Sequence, residues 1–180
     1  EEELKKVMKD ELRKIKKEYS IPRKTIINME EAEIKIDEKA MIPKEDVIVV
    51  VTHDGYVKRT SKRSYNSKEK PLLKEGDYIT GLFEQNTRDT LLLFTNLGNY
   101  LYVPVHEIPD IKWKTIGKHI SNIINIKENE TLVSAIPIED FNKNLDILLV
   151  SKNGMIKRTH LKDFKVSRYS KPISCMKLKE

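Results

Sequence analysis

Two short stretches carry the residue types best suited to holding a polyanion. Gly55-Tyr-Val-Lys58-Arg59-Thr60 and Gly154-Met-Ile-Lys157-Arg158-Thr159 share a glycine, two apolar or aromatic positions, and then Lys-Arg-Thr. Lys62 and Arg63 follow the first pair, and Lys162 and Arg168 follow the second. From position 54 to 74 there are seven basic residues against two acidic ones, and from 152 to 171 seven against one. Local fields of that sign attract polyanions. One such cluster reads as a solvated face that keeps a small-core domain soluble. Two in matching places point to a ligand. No Asn- or Gln-bearing recognition helix lies beside them, so these cations suit contact with phosphates and not the reading of base edges. The candidate contacts to duplex DNA are therefore Lys58, Arg59, Lys62, Arg63, Lys157, Arg158, Lys162 and Arg168.

Other chemistry is thinly represented. Gly76-Asp-Tyr-Ile-Thr-Gly81 has the glycine spacing of a P-loop, but Leu82-Phe83 follows it in place of Lys-Ser/Thr, so nothing grips a phosphate. There is no Gly-x-Ser-x-Gly and no His-Glu-x-x-His, and His53, His106, His119 and His160 lack ligand spacing. The acidic runs beginning at Glu1 and Glu30 belong to polar faces and linkers. Trp113 and the seven tyrosines could stack on bases, although Tyr56, Tyr100 and Tyr102 fall in strands, where packing is the simpler role. Cys175 is the one cysteine, which leaves no internal disulfide and no cysteine-based zinc site. No catalytic residue, metal site or cofactor site is expected.

Composition agrees with a small-core binding domain. Charged residues make up 34% of the 180 and hydrophobic ones 38%, with a net charge of +6. The longest apolar run, from Val47 to Val51, is far short of the roughly 20 residues that span a bilayer. The chain opens Glu-Glu-Glu-Leu-Lys-Lys without a basic-then-apolar signal pattern. A reducing cytosol, with no membrane association, is the expected location. Residues 1–45 carry 12 basic and 12 acidic side chains, so the whole positive excess lies in 46–180.

The elements that must position the cations follow from periodicity. Leu4, Val7, Met8, Leu12, Ile15 and Tyr19 form one apolar stripe at helical spacing, which predicts a helix over 1–19, stopped by Pro22. It reads as the end of a longer helix. Ala32, Ile34 and Ile36 then alternate with charged residues as in a half-buried strand. Next comes a hairpin with strands at 47–52 and 56–60 around Asp54-Gly55, the glycine accepting the positive φ of a tight turn. The pattern recurs twice: a strand at 78–84 before a hairpin at 91–105, and a strand at 131–138 before a hairpin at 147–160.

The connectors repeat too, with Lys74-Glu75-Gly76-Asp77 matched by Lys127-Glu128-Asn129-Glu130, and Lys179-Glu180 begins the pattern again. A period near fifty with three or four strands per unit predicts an all-β stack of propeller-like blades. The expected division is a helix and linker at 1–29, then blades at about 30–70, 71–118 and 119–171, with the start of a fourth at 172–180. Three blades alone should be marginally stable, because each needs a neighbour to bury its face. Alternation sends Lys58 and Arg59 to opposite faces of their strand. The second hairpin has Leu101 and Tyr102 where the others have Lys and Arg, so its blade is expected to matter less for DNA.

These residues resemble a known family. The stretch from Glu45 to Arg59, with Val-Ile-Val-Val-Val-Thr-His-Asp-Gly-Tyr-Val-Lys-Arg, is similar to the first blade of the C-terminal domain of bacterial type IIA topoisomerase A subunits. Leu93-Phe-Thr-Asn-Leu-Gly-Asn-Tyr-Leu-Tyr-Val-Pro-Val-His-Glu-Ile-Pro109 and Leu149-Val-Ser-Lys-Asn-Gly-Met-Ile-Lys-Arg-Thr159 resemble the second and third. The resemblance covers roughly residues 30–180, and the N-terminal helix looks like the end of the family's coiled-coil arm.

It implies a β-pinwheel, a propeller-like disc with its own strand exchange, that binds and bends duplex DNA without sequence preference and positions it for strand passage. The implied parent is an ATP-dependent DNA isomerase in a bacterial, nucleoid-associated setting. It is a homodimer that joins the ATPase-bearing B subunits in an A2B2 assembly, takes ATP through that partner, and uses Mg²⁺; the tyrosine nucleophile and the Mg²⁺ site lie in other parts of it. Gyrase-type members carry a Gln-Arg-Arg-Gly-Gly-Lys-Gly-like box after the first hairpin. Here that stretch reads Ser64-Tyr-Asn-Ser-Lys-Glu-Lys-Pro71, which favours the topoisomerase IV type, a decatenating and relaxing enzyme, over a supercoiling one. Two readings outside this one are a propeller whose basic face meets an acidic protein, discriminated by whether duplex DNA competes for that face, and a small enzyme, which lacks any catalytic constellation.

Overall fold

The structure is a computed structural model that describes residues 1–25, 41–65 and 69–178. The chain divides into two compact units, 1–36 and 37–180. The strand expected at 32–36 lies outside the described residues, as do Lys179 and Glu180.

The first unit contains α1 (Glu2–Tyr19). Glu2 and Glu3 sit in its first turn and Lys16 and Lys17 in its last, the arrangement that complements the helix dipole. Ser20, in extended conformation, closes it by donating its backbone N–H to Lys16 O at 3.0 Å. The apolar stripe forms as the spacing predicts and is exposed, from 54% at Ile15 to 70% at Tyr19. No helix among the described residues is long and apolar enough to cross a membrane.

The second unit is built of antiparallel sheets. Its strands in chain order are β1 (Asp46–Thr52), β2 (Tyr56–Ser61), β3 (Ile79–Asn86), β4 (Thr90–Thr95), β5 (Asn99–Pro104), β6 (Lys118–His119), β7 (Leu132–Ile138), β8 (Asp146–Val150), β9 (Ile156–His160) and β10 (Ile173–Ser174). The first sheet has the order β3-β1-β2-β6, the second β10-β5-β4-β7, and the third is the hairpin β8-β9.

The three hairpins use one turn. In each, a hydroxyl at the end of the first strand accepts the N–H four residues on: Thr52 from Tyr56 (3.0 Å), Thr95 from Asn99 (3.4 Å) and Ser151 from Met155 (3.1 Å). The glycine between them is left-handed, with φ of 89° at Gly55, 75° at Gly98 and 76° at Gly154. Only glycine takes that conformation without a Cβ penalty.

Spacing in the sequence groups each long strand with the hairpin that follows it; the hydrogen bonds group it with the hairpin before. Ile79–Asn86 pairs with β1, Val49 opposite Phe83, and Leu132–Ile138 pairs with β4, Leu93 opposite Ala135. Short returning segments close the far edges, β6 on β2 and β10 on β5. Each long strand is thus shared with the hairpin before it, so the pairing interleaves along the chain. A strand's alternation reports which residues face the core but not which edge it joins.

The core lies between the sheets. Val47, Val49, Val51 and Val57 on one face of the first hairpin pack with Leu91, Leu93, Leu101 and Val103 of the second. The second hairpin's other face, Leu92, Phe94, Tyr100 and Tyr102, packs with Ile147, Leu161 and Phe164 of the third region. A strand covered on both faces must be apolar at every position, which explains the unbroken runs at 47–51 and 91–94. Each fully buried Val or Leu contributes roughly 1.5–3 kcal/mol. The outer face of β8-β9 is uncovered, with Leu148, Val150 and Ile156 each more than half exposed.

The repeated connector acids anchor the turns. Asp77 Oδ1 accepts from the N–H groups of Asp54 (3.0 Å) and Tyr78 (2.8 Å). Glu130, 4% exposed, accepts from Thr95 Oγ1 at 2.7 Å, Asn99 Nδ2 at 2.8 Å and Lys127 N at 3.3 Å. Burial alone would raise the Glu130 carboxyl pKa; those three bonds and the Lys127 charge outweigh it and hold the group below its usual value.

Candidate nucleic-acid interface

Residues directly opposite in an antiparallel pair share a face, so the register decides which cation reaches solvent. In the first hairpin Val50 faces Lys58 and Ile48 faces Thr60. That face is roofed by the segment from Pro109 to Thr115, which returns after the second hairpin. Its backbone joins β2 through Arg59 N to Pro109 O (3.0 Å) and Ile111 N to Arg59 O (2.9 Å). Trp113 packs on Ile48 and Val50, and its Nε1 donates to Glu69 O at 2.9 Å.

Lys58 lies under this roof and is 2% exposed. Its Nζ donates to Trp113 O at 2.7 Å and Thr115 O at 2.6 Å, and lies 5.4 Å from the centre of the Trp113 ring. Burial lowers its pKa, since the interior penalises the ammonium. Lys58, read from the sequence as a DNA contact, is thus buried in this structure with its ammonium bound by two backbone carbonyls. Thr60 adds a bond of the same kind, from Oγ1 to Ile111 O at 2.6 Å.

The other expected contacts fall at graded exposure. Arg59 is half-buried, and among the described residues its Nε, shielded from solvent, has no hydrogen-bond partner. Lys62 is exposed but bridges Glu84 and Asp46, the latter at 3.5 Å, and its hydrogen bond to Glu84 raises its pKa. Much of its charge is thereby balanced locally. Arg63 is exposed.

On the third hairpin Lys157 is exposed along its stem while its Nζ donates to Cys175 O at 2.6 Å. Arg158 is 70% exposed, its Nε 3.4 Å from Asp146 Oδ2, and His160 also meets Asp146. Lys162, in the short 3₁₀ turn Leu161–Phe164, and Arg168 beyond it are exposed. Cys175 is buried, which pushes its thiol pKa up and suits a packing role.

Arg63 and the group Arg158, Lys162 and Arg168 are the expected cations best presented to a ligand. The roof supplies two more, Lys112 and Lys114, both exposed, with Lys114 Nζ 2.9 Å from Glu69 Oε2. Counting along the chain assigns these two to the second blade. The Arg59–Pro109 and Ile111–Arg59 bonds lay their segment along the first hairpin. Exposed cations on short strands and turns can hold phosphates at many points without reading a base.

Among the described residues no group of three or more His, Cys, Asp or Glu side chains is gathered to hold a metal ion. Two open clefts of about 440 and 480 Å³ flank β8, lined by Ile136, Ile138 and Leu148 in one and by Val133, Leu149 and Val150 in the other. Both adjoin the strand edge of the third hairpin.

Comparison with known proteins gives a consistent result. A family model described as DNA gyrase C-terminal domain, beta-propeller, matches residues 46–68, 89–139 and 145–180. The A subunit of DNA topoisomerase 4 from Bacillus subtilis (strain 168) is 45% identical over 181 residues, covering 99% of this chain and 22% of that protein. The protein of the same name from Staphylococcus aureus (strain MRSA252) is 44% identical over 176 residues, covering 97% and 22%. The chain thus spans about a fifth of the length of the relatives it matches.

Among solved structures, the C-terminal domain of DNA topoisomerase IV superposes with a TM-score of 0.73 at 54% identity, over 78% of this chain and 44% of that one. A DNA gyrase A C-terminal domain gives a TM-score of 0.51 at 26% identity, over 67% and 41%.

Proposed function

The chain belongs to the DNA gyrase C-terminal domain family of β-propellers, and from that premise we infer that it is the duplex-DNA-binding module of a type II topoisomerase A subunit of the topoisomerase IV type. The observation that carries this reading is the set of exposed cations on the first and third hairpin regions, Arg63, Arg158, Lys162 and Arg168, within residues 46–180, which hold the whole positive excess of the chain. They contact phosphates, bind any duplex sequence, and bend DNA along the row of blades for strand passage. Lys157, with its ammonium held by Cys175 O, and Lys62, balanced by two carboxylates, contribute less.

Sequence around the first hairpin supports topoisomerase IV over gyrase. Ser64 to Pro71 lacks the glycine-rich basic box of gyrase-type members, and identity is 54% to a topoisomerase IV domain against 26% to a gyrase domain. In this reading the parent decatenates and relaxes DNA as an A2B2 assembly in the bacterial cytoplasm, close to the nucleoid. ATP is handled by the partner subunit, and Mg²⁺ and the nucleophile by regions of the parent outside this chain.

The test is a pair of binding measurements on the full chain with duplexes of unrelated sequence. Equal affinities, weakened together by Arg158→Glu with Lys162→Glu, are expected. Strong preference for one duplex, or affinity unchanged by the charge reversal, would contradict the assignment.

A further inference from the structure

The roof over the first hairpin does more than cover apolar residues. It is a crossing segment without a helix or strand of its own, and it presents Lys112 and Lys114 on either side of the buried Trp113. Such a segment keeps a fixed path only if its backbone groups are bound. Three of its carbonyls are bound by side chains of one strand: Ile111 O by Thr60, and Trp113 O and Thr115 O by Lys58. Lys58 and Thr60 are two apart, so they stand on one face of β2, and they reach carbonyls that are also two and four apart. The Lys-x-Thr spacing of the motif matches the spacing of the carbonyls it holds. An ammonium has three donors and no acceptor, which suits it to gather several carbonyls at one point.

On that geometry we propose that Lys58 is a positioning residue for DNA binding: it pins the 109–115 segment to β2 so that Lys112 and Lys114 meet the phosphate backbone. This rests on the duplex-binding reading of the chain. Lys58 itself never touches DNA. Its contribution passes through two cations more than fifty residues away, so its loss removes two phosphate contacts and not one.

The experiment uses the full chain, a random-sequence duplex and a salt series, with Trp113, the chain's one tryptophan, as an internal reporter. Lys112→Ala with Lys114→Ala is expected to flatten the plot of log affinity against log salt by about 1.8, at ~0.9 per phosphate contact. Lys58→Met should flatten it by a similar amount, shift Trp113 emission to the red, and leave no further loss when the two alanines are added. If Lys58→Met fails to fold, Thr60→Val carries the same comparison, with a red shift and a shallower slope expected.

Three results would overturn the proposal. In the first, Lys58→Met, or Thr60→Val in its place, leaves both emission and slope unchanged. In the second, Lys58→Met costs about 0.9 with unchanged emission while the alanines still cost their full amount, which would make Lys58 a direct contact. In the third, the alanines have no effect on a chain that does bind DNA. Failure of the unsubstituted chain to bind any duplex is a different outcome: it removes the DNA reading itself, and the proposal with it.

Discussion

The first and third hairpins share a six-residue motif and put it to different uses. Lys58 is buried beneath a returning segment and holds two carbonyls, whereas Lys157 is exposed along its stem and holds one, at Cys175. Thr60 donates to Ile111 O, while the Oγ1 of the matching Thr159 is buried with no hydrogen-bond partner among the described residues. Arg59 is half-buried and Arg158 is mostly in solvent. The motif specifies a strand with a donor pair on one face. What crosses that face decides how many carbonyls the donors hold. The second hairpin makes the same point in reverse, since Leu101 occupies the lysine position where the face is closed by the first sheet's valines.

The sharpest way to break this comparison is to give the second hairpin the residue its neighbours have. Leu101→Lys would place a cation at a position with no exposure and no carbonyl cluster shown to receive it. A loss of about 4 kcal/mol or more is expected, because an unpaired buried charge is among the most costly of substitutions. Chemical denaturation would measure it; a loss below about 1 kcal/mol would mean that the second face opens as the first one does.

Next in size is the contrast between the two lysines. Lys58→Met leaves one buried and one partly buried carbonyl without their donor and should cost roughly 2–3 kcal/mol, against about 1 kcal/mol for Lys157→Met. Equal losses would erase the distinction between a roofed and an open hairpin.

A smaller effect sharpens the role of the connector. Glu130→Gln removes an ionised acceptor that three donors share and should cost about 1 kcal/mol near neutral pH. The carboxyl pKa is depressed in the fold, so its stabilisation is present above the unfolded value near 4.5 and is lost as pH falls through the lower folded value. A Tm series from pH 7 to pH 3 should therefore show a gentler acid decline in the Gln variant. An identical decline would place the acid sensitivity elsewhere.

Much of this architecture is legible in the sequence because it is local. The helix over 1–19, the three hairpins and their glycine turns follow from periodicity and from the φ that Asp54-Gly55, Leu97-Gly98 and Asn153-Gly154 demand. The interleaving is not legible. Ile79–Asn86 alternates in the same way whether it joins β1 behind it or β4 ahead of it, and only long-range pairing decides. The interface is half legible for a related reason. A Lys-Arg pair after a turn has the look of a surface feature, and Lys58 is buried by carbonyls 55 and 57 residues further on. The serine and threonine acceptors in the turns, and the anchoring acids Asp77 and Glu130, leave a signal in the repeated connectors that can be read as structural.

The central claim is that exposed cations of the blades hold duplex DNA through its phosphates. Fluorescence anisotropy of the full chain with a random-sequence duplex across a salt series tests it most directly. With Arg63, Arg158, Lys162 and Arg168 each neutralising a phosphate, log affinity should fall linearly with log salt at a slope of about −3.6 or steeper, and alike for unrelated sequences. A slope near zero, or no binding at low salt, would contradict the account and leave the basic hairpins facing a protein.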